Sequence, residues 1–126
     1  TDLMLKNIGV DPCEIKGIFL THEHIDHVNG LCVFAKKYQI PVHASTGTIL
    51  ALRQKGTLCE KHIDISINDS PLTVAGLEIK PFKTSHDCAD GRGYVITGCD
   101  GTTKIAVATD TGYVSNDILQ HLTGCR

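Results

Sequence analysis

The strongest constraint on the fold is a short apolar segment, residues 17–20, that runs directly into the histidine-rich segment 21–27, with the sequence THEHIDH. An apolar run of this length is typical of a buried strand. His22 and His24 lie two residues apart, so in an extended backbone their imidazoles point to the same side and can hold one cation. If the chain then turns into a helix, Asp26 and His27 can converge on a second cation. The segment therefore predicts a two-metal site at the end of a strand.

Strand and helix patterns alternate along the first half of the chain. A helix ends before Gly9, and residues 11–14 begin with an N-cap residue and a proline, which predicts one short helical turn. Beyond this turn, strands and helices are expected in alternation at residues 15–21, 31–38, 41–44 and 46–54. This order is the α/β alternation, in which helices pack against a sheet.

The second half changes character. Apolar residues alternate from Ile63 to Ile67, and further short strands are expected at residues 72–74, 77–82, 93–97 and 104–109. Segment 98–101, GCDG, predicts a hairpin turn, and residues 117–122 predict a closing helix. We expect these strands to be antiparallel with one buried face. No linker separates the two halves, so the chain is predicted to form one layered α/β unit.

Two further segments place chemically useful side chains directly after predicted strands. Segment 84–87, TSHD, brings His86, and segment 109–112, TDTG, brings Asp110. Residues at strand ends in one layer can meet, so both side chains are candidate ligands of the same site. Each segment by itself is typical of a turn. A surface histidine-rich loop that collects metal without function is the alternative for segment 21–27.

Segment 21–27, His86 and Asp110, in this order and spacing, resemble the metallo-β-lactamase-fold hydrolases. Segments 30–31, 36–38, 40–42, 84–87 and 108–114 are similar to those of the YycJ/WalJ subgroup of bacterial cytoplasmic enzymes. The resemblance implies an αββα sandwich. It also implies that residues 1–126 are a partial domain, without the N-terminal strands and the C-terminal part of the fold.

The resemblance assigns roles to six residues of this chain. It implies that His22, His24 and His86 hold a first metal ion. It also implies that Asp26 and His27 hold a second ion and that Asp110 bridges both. Asp26 and Asp110 are the implied catalytic residues. Imidazole and carboxylate ligands suit two divalent ions, Zn or Mn. Glu23 and Asp87 are candidates for orienting these ligands.

The remaining histidines are not expected to bind metal. His43 and His62 are predicted to be structural or exposed, and His121 to lie on the surface of the last helix. The resemblance implies one more metal-binding histidine near the C-terminal end of the fold, which this chain lacks. The sequence therefore predicts either a weakly held second metal or a fragment that binds no metal at all.

Six cysteines at irregular spacing, without a Cys-x-x-Cys pair, predict reduced thiols that pack as small apolar residues. Cys88 is the one expected near the chemistry, because it follows His86 and Asp87.

Composition narrows the classes of partner. The net charge of -2 argues against a globally basic nucleic-acid binder, although basic residues could gather in a local stripe. The candidates for such a stripe are Lys36, Lys37, Arg53, Lys55, Lys80, Lys83 and Arg92. No apolar run approaches the roughly 18 to 20 residues of a membrane span, and the first residues show no signal-peptide pattern.

The leading hypothesis is a cytoplasmic, metal-dependent phosphodiesterase that acts as an exonuclease on DNA, as the resemblance implies. Hydrolysis of a small ester, thioester, lactam or cyclic phosphodiester is an alternative, since the same centre serves all of these reactions. A non-catalytic metal- or nucleic-acid-binding module is a third. An unpaired sheet edge would also favour a homo-oligomer.

Overall fold

Two small sheets lie face to face, with helices on the outer side of each. The structure, a computed structural model, describes residues 2–126. The chain enters through helix α1 (Asp2–Asn7) and a 3-10 turn (Pro12–Glu14) that Asp11 caps by accepting a hydrogen bond from Cys13 N at 2.9 Å. The layers follow the order helices, first sheet, second sheet, helix, which is the predicted αββα arrangement.

The first sheet consists of three parallel strands with β2 in the centre. Its strands are β1 (Ile18–Phe19), β2 (Val42–Ala44) and β3 (Asp64–Ser66). Its outer face carries α2 (Ile25–Val28), α3 (Leu31–Tyr38) and α4 (Thr46–Gln54). Leu20, Val42 and Ala44 of the sheet layer pack there against helical residues such as Leu31 and Leu52. The predicted helices at 31–38 and 46–54 are confirmed.

The second sheet is antiparallel, with its four strands in chain order. They are β4 (Leu72–Val74), β5 (Leu77–Lys83), β6 (Arg92–Thr97) and β7 (Lys104–Val107). One face meets the first sheet, where Phe19 packs with Ile79 and Tyr94. The other face is covered by α5 (Asn116–Leu122), whose Ile118 packs with Phe82 of β5. The predicted hairpin between β6 and β7 is confirmed by a 2.8 Å hydrogen bond from Gly98 N to Thr103 O.

One strand lies in a different sheet from the one predicted. The alternation from Ile63 to Ile67 predicted the first antiparallel strand, but β3 pairs in parallel with β2, with Val42 opposite Asp64. The reason is the connection, because α4 crosses between β2 and β3, and a helical crossover joins parallel strands. Ile67 is buried, whereas Ile63 and Ile65 remain exposed. The antiparallel part of the fold therefore begins at β4.

The three histidines expected not to bind metal all pack against the fold. His43 is buried and stacks on Phe19, with 4.5 Å between ring centroids. His62 is buried and lies 3.1 Å from both Cys59 N and Cys32 O. The prediction of a surface position for His121 is wrong, since its side chain is half-buried and stacks on Phe82 at 5.0 Å.

All six cysteines are free, as predicted, but Cys13, Cys59 and Cys99 are exposed rather than packed as apolar residues. Between residues 2 and 126, no helix combines the length and the apolar character that crossing a membrane would demand.

His43 should make the fold sensitive to acid. Burial lowers the pKa of His43, and its Nδ1 has no hydrogen-bond partner among residues 2–126. The unfolded chain therefore binds a proton near the usual histidine pKa of about 6.5, while the folded chain does not. We expect the free energy of unfolding to decrease as the pH falls below about 6.5, by up to about 1.4 kcal/mol per pH unit for this one proton. Urea unfolding between pH 5 and 8 measures this slope.

The matched variant is His43→Phe, which keeps an aromatic ring on Phe19 and removes the titrating nitrogen. The variant should show a shallower slope than the wild type over the same pH range. Equal slopes in the two proteins would show that His43 does not contribute to acid sensitivity.

Candidate metal centre

Three loops meet at one edge of the sandwich, and each follows the end of a strand. Segment 21–27 follows β1, segment 84–87 follows β5, and segment 108–110 follows β7. The backbone is extended up to His24, which is the N-cap of α2 with φ −69° and ψ 147°. His22 and His24 therefore lie on one side of the chain, and Asp26 and His27 lie on the first turn of a helix, as the spacing predicted.

The first group of metal-ligating side chains consists of three histidines. Nitrogen atoms of His22, His24 and His86 all lie within 4.8 Å of one another. His86 Nε2 is 3.1 Å from His24 Nδ1, although these residues are 62 positions apart in the chain. These are the three histidines that the resemblance assigns to the first ion.

The second group consists of His22, His27 and Asp110, whose ligand atoms also lie within 4.8 Å of one another. His27 Nε2 is 2.8 Å from Asp110 Oδ2. His22 thus occurs in both groups, but the lone pair of one imidazole nitrogen serves a single ion. If two ions bind, the second one needs another ligand in place of His22.

Asp26 is positioned to be that ligand. It belongs to neither group, and its side chain is 76% exposed, but its Oδ2 lies 3.5 Å from His27 Nε2. The carboxylates of Asp26 and Asp110 thus both lie beside His27 Nε2. This is the pairing of Asp26 with His27 that the resemblance implies.

The chemistry of His22 fits a cation. Its side chain is buried, and its Nε2 has no hydrogen-bond partner within the described part of the chain. Burial lowers the pKa of His22, and the neighbouring imidazoles of His27 and His24 lower it further. His22 is therefore held in the neutral form, which is the form that binds metal. An unpartnered buried nitrogen is costly, and an ion would remove that cost.

The loop that carries His86 is held against the first motif by Glu23. This carboxylate is buried, and its Oε1 accepts a hydrogen bond of 2.8 Å from Ala89 N. Asp87 Oδ1 lies 3.0 Å from His86 Nδ1, which keeps a proton on that nitrogen and leaves Nε2 available to an ion. Asp87 therefore contacts a candidate ligand directly, whereas Glu23 bonds the backbone of the loop that carries His86.

The loop that carries Asp110 is joined to the His86 loop. Gly112 N donates a hydrogen bond of 2.5 Å to Ser85 O, and Ser85 N donates one of 3.4 Å to Thr111 Oγ1. Asp110 itself has φ 51°, a left-handed conformation that is uncommon outside glycine. Such a conformation has a cost, and here it directs the carboxylate to His27.

Arg92 is buried behind the site and contacts its loops, so it does not contribute to a basic surface. Its side chain is 3% exposed, and it pairs with Asp90 and donates a hydrogen bond of 3.2 Å to Asn68 O. Its backbone N donates a hydrogen bond of 2.9 Å to Thr21 O. Two further candidates for a basic stripe are paired with acids, Lys37 with Asp2 and Arg53 with Asp64. The stripe suggested by the sequence is therefore incomplete.

Two residues lie close to the motifs without belonging to either ligand group. Burial raises the pKa of the Cys88 thiol, and the Glu23 carboxylate raises it further, which disfavours the thiolate form. Thr21 received no role from the sequence, yet its Oγ1 lies 3.1 Å from His22 Nδ1 and 3.3 Å from His27 Nδ1. Its position directly before His22 could have suggested a contact with that histidine. Its contact with His27 arises only because the chain turns into α2 after His24.

Comparison with known proteins identifies the family of this fold. The family model described as a β-lactamase superfamily domain matches residues 5–126. The chain belongs to the β-lactamase superfamily. A metallo-β-lactamase from Cronobacter sakazakii has the same fold, with a TM-score of 0.74 at 15% identity over 98% of this chain and 58% of the other. The metallo-β-lactamase fold protein YhfI from Bacillus subtilis gives a TM-score of 0.68 at 26% identity over 90% of this chain and 48% of the other.

Curated relatives of this superfamily domain include two nucleases. The chain is 35% identical over 118 residues to Exodeoxyribonuclease YycJ from Bacillus anthracis, which covers 92% of this chain and 44% of the relative. It is 31% identical over 118 residues to Exodeoxyribonuclease WalJ from Streptococcus pneumoniae, covering 90% and 42%. The predicted fold class and the YycJ/WalJ resemblance are confirmed. The chain spans less than half the length of these relatives, and that residues 1–126 are a partial domain stays a prediction.

The two groups of ligands predict different losses of metal in two variants. The protein is first freed of metal with a chelator and then titrated with Zn²⁺. We expect the wild type to bind about two Zn²⁺ ions per chain. His86→Ala should remove the ion held by the histidine group, and Asp26→Asn the ion beside His27, leaving about one in each case. Elemental analysis after dialysis measures the content.

His121→Gln is the control, because this histidine stacks on Phe82 and lies in neither group. It should retain the wild-type metal content. If Asp26→Asn also retains that content, Asp26 is not a ligand.

Proposed function

We propose that this chain provides the metal centre of a metal-dependent phosphodiesterase, an exonuclease that acts on DNA in the cytoplasm. His22, His24 and His86 would hold one divalent ion, Zn or Mn. Asp26 and His27 would hold a second, and Asp110 would be a ligand shared by both. The observation that carries the proposal is the convergence of three strand-end loops on His22. The ligand atoms of His22, His24 and His86 lie within 4.8 Å of one another, and so do those of His22, His27 and Asp110.

The donor set suits hydrolysis at phosphorus. Divalent ions in such a centre supply Lewis acidity, which makes water a nucleophile at neutral pH and stabilises the charge that develops on phosphoryl oxygens. His22 stays in the neutral, metal-binding form, because its burial and the neighbouring imidazoles lower its pKa. This assignment combines neutral imidazoles with carboxylates at one edge of the fold, a ligand set that Zn²⁺ and Mn²⁺ accept.

Asp26 and Asp110 are the proposed catalytic residues. Their carboxylates lie 3.5 Å and 2.8 Å from His27 Nε2, and both are more exposed than the buried His22. A carboxylate in this place can orient the attacking water and accept its proton at Oδ2. Asp26 is the more exposed of the two, so it is the one that can pass a proton to solvent.

The choice of DNA as substrate is supported by the relatives. Two proteins with 35% and 31% identity to this chain are named exodeoxyribonucleases. The surface charge gives little support for DNA, because Arg92 is buried and Arg53 and Lys37 are paired with acids. The substrate therefore depends on the relatives, and the hydrolytic chemistry on the site.

A small-molecule substrate is the second candidate, and one observation favours it. An apolar pocket of about 200 Å³ lies beside His27 and is lined by residues including Leu20, Leu31 and Phe34. Apolar pockets with a few polar groups are typical of sites for small ligands. A pocket of this kind would suit the acyl group of an ester or thioester, or one base of a cyclic phosphodiester.

Activity assays separate the candidates. With Mn²⁺ or Zn²⁺ added, we expect the protein to degrade end-labelled DNA and to hydrolyse bis(4-nitrophenyl) phosphate. Asp110→Asn should lower the rate by about 100-fold or more, because it removes a carboxylate from the reacting centre. A chelator should abolish activity, and His121→Gln should retain it.

Hydrolysis of a 4-nitrophenyl ester or thioester without any attack on DNA would contradict the nuclease and support the small substrate. Binding of DNA without turnover of any of these substrates would indicate a non-catalytic module. Metal-independent cleavage that survives Asp110→Asn would point to a contaminating nuclease and contradict the proposal.

A further inference from the structure

The hydroxyl of Thr21 lies between two imidazoles that face different parts of the site. Its Oγ1 is 3.1 Å from His22 Nδ1 and 3.3 Å from His27 Nδ1. The backbone beneath it is fixed, because Thr21 O accepts a hydrogen bond from Arg92 N at 2.9 Å and Leu20 O accepts one from the Tyr94 hydroxyl at 2.5 Å. The hydroxyl is therefore held in place by both sheets.

The partners of His22 determine where its proton lies. Its Nε2 is buried and has no acceptor among residues 2–126, whereas its Nδ1 faces the Thr21 oxygen. A neutral imidazole carries one proton, and a buried N–H without an acceptor is costly. The proton is therefore on Nδ1, which donates to Thr21 Oγ1 and leaves Nε2 free.

The partners of His27 determine the opposite arrangement in the metal-free protein. Its Nε2 lies 2.8 Å from Asp110 Oδ2, and an ionised carboxylate can only accept a hydrogen bond. Nε2 therefore carries the proton, and Nδ1 accepts the hydrogen of the Thr21 hydroxyl. The result is a chain of donors from His22 through Thr21 and His27 to Asp110.

We propose that Thr21 is a positioning residue that orients one histidine of each metal group, an inference that rests on the proposed metal centre. If His27 bound an ion through Nε2, the Nε2 proton would leave to water and water would supply one proton to Nδ1, so the imidazole would stay neutral. The Thr21 oxygen then accepts from both Nδ1–H groups, and its own hydrogen turns to solvent, since Thr21 is only half-buried. A hydroxyl can do this because it is both donor and acceptor.

This role predicts that one substitution weakens both ions. Thr21→Val keeps the shape of the side chain and removes the hydroxyl, and it should weaken binding of each Zn²⁺ ion by about 10- to 100-fold, the usual effect of losing a partner of a ligating histidine. Thr21→Ser keeps the hydroxyl and should restore the affinity. Asp87→Ala is the comparison, because Asp87 pairs with His86, and its effect should be confined to one ion.

The measurement is long-range ¹H–¹⁵N NMR of the imidazole nitrogens, together with Zn²⁺ competition against a chelator. In the metal-free wild type, we expect a proton on His22 Nδ1 and on His27 Nε2. With Zn²⁺, both histidines should carry it on Nδ1. This part of the test uses the wild-type protein alone, so it stands even if Thr21→Val does not fold.

The outcomes separate the inference from the proposed centre. A metal-free wild type with the proton on His22 Nε2 overturns the role of Thr21. So does a Thr21→Val variant with unchanged tautomers and unchanged Zn²⁺ affinity. A wild type that binds no Zn²⁺ overturns the metal centre itself.

Discussion

The site depends on how the end of β1 is fixed between the two sheets. Tyr94 and Arg92, both at the start of β6, donate hydrogen bonds to the carbonyls of Leu20 and Thr21. These bonds satisfy backbone acceptors that the short edge strand β1 would otherwise leave open, and they hold the chain extended up to His24. Phe19 packs on Tyr94 in the same region, with 5.6 Å between ring centroids. The position of every ligand in segment 21–27 follows from this junction.

The convergence of the three loops crowds four imidazoles together. The ring of His22 lies 4.1 Å to 4.8 Å, centroid to centroid, from those of His24, His27 and His86. Burial lowers the pKa of His22, and the neighbouring imidazoles of His27, His24 and His86 lower it further. His22 is thus held neutral, with a buried Nε2 that has no hydrogen-bond partner among residues 2–126. Such a nitrogen needs a partner for its lone pair, which is the physical reason the cluster suits a cation.

Charged residues that are equivalent in the sequence differ in burial in the folded chain. Glu23 lies between two histidines and was a candidate for orienting ligands, but it is buried and holds the loop at Ala89. Arg92 was a candidate for a basic surface and is instead buried under Asp90 and Asn68. Asp26 was expected to converge on the site and remains largely exposed beside His27. Charge in the sequence did not show which of these side chains would be buried.

The sequence by itself determined the local part of this site. The apolar run before Thr21, the two-residue spacing of His22 and His24, and the helical turn at Asp26 and His27 are properties of neighbouring residues, so backbone periodicity was enough to predict them. Strand-end positions and the family resemblance made His86 and Asp110 candidates. The tertiary structure decided that His86 meets His24, 62 residues away, that Asp110 meets His27, and that β3 pairs in parallel with β2. Contacts between distant segments depend on how the sheets pack and on where crossovers run, and no local pattern encodes these. That is why the partner of Thr21 in α2 became visible only in the folded chain.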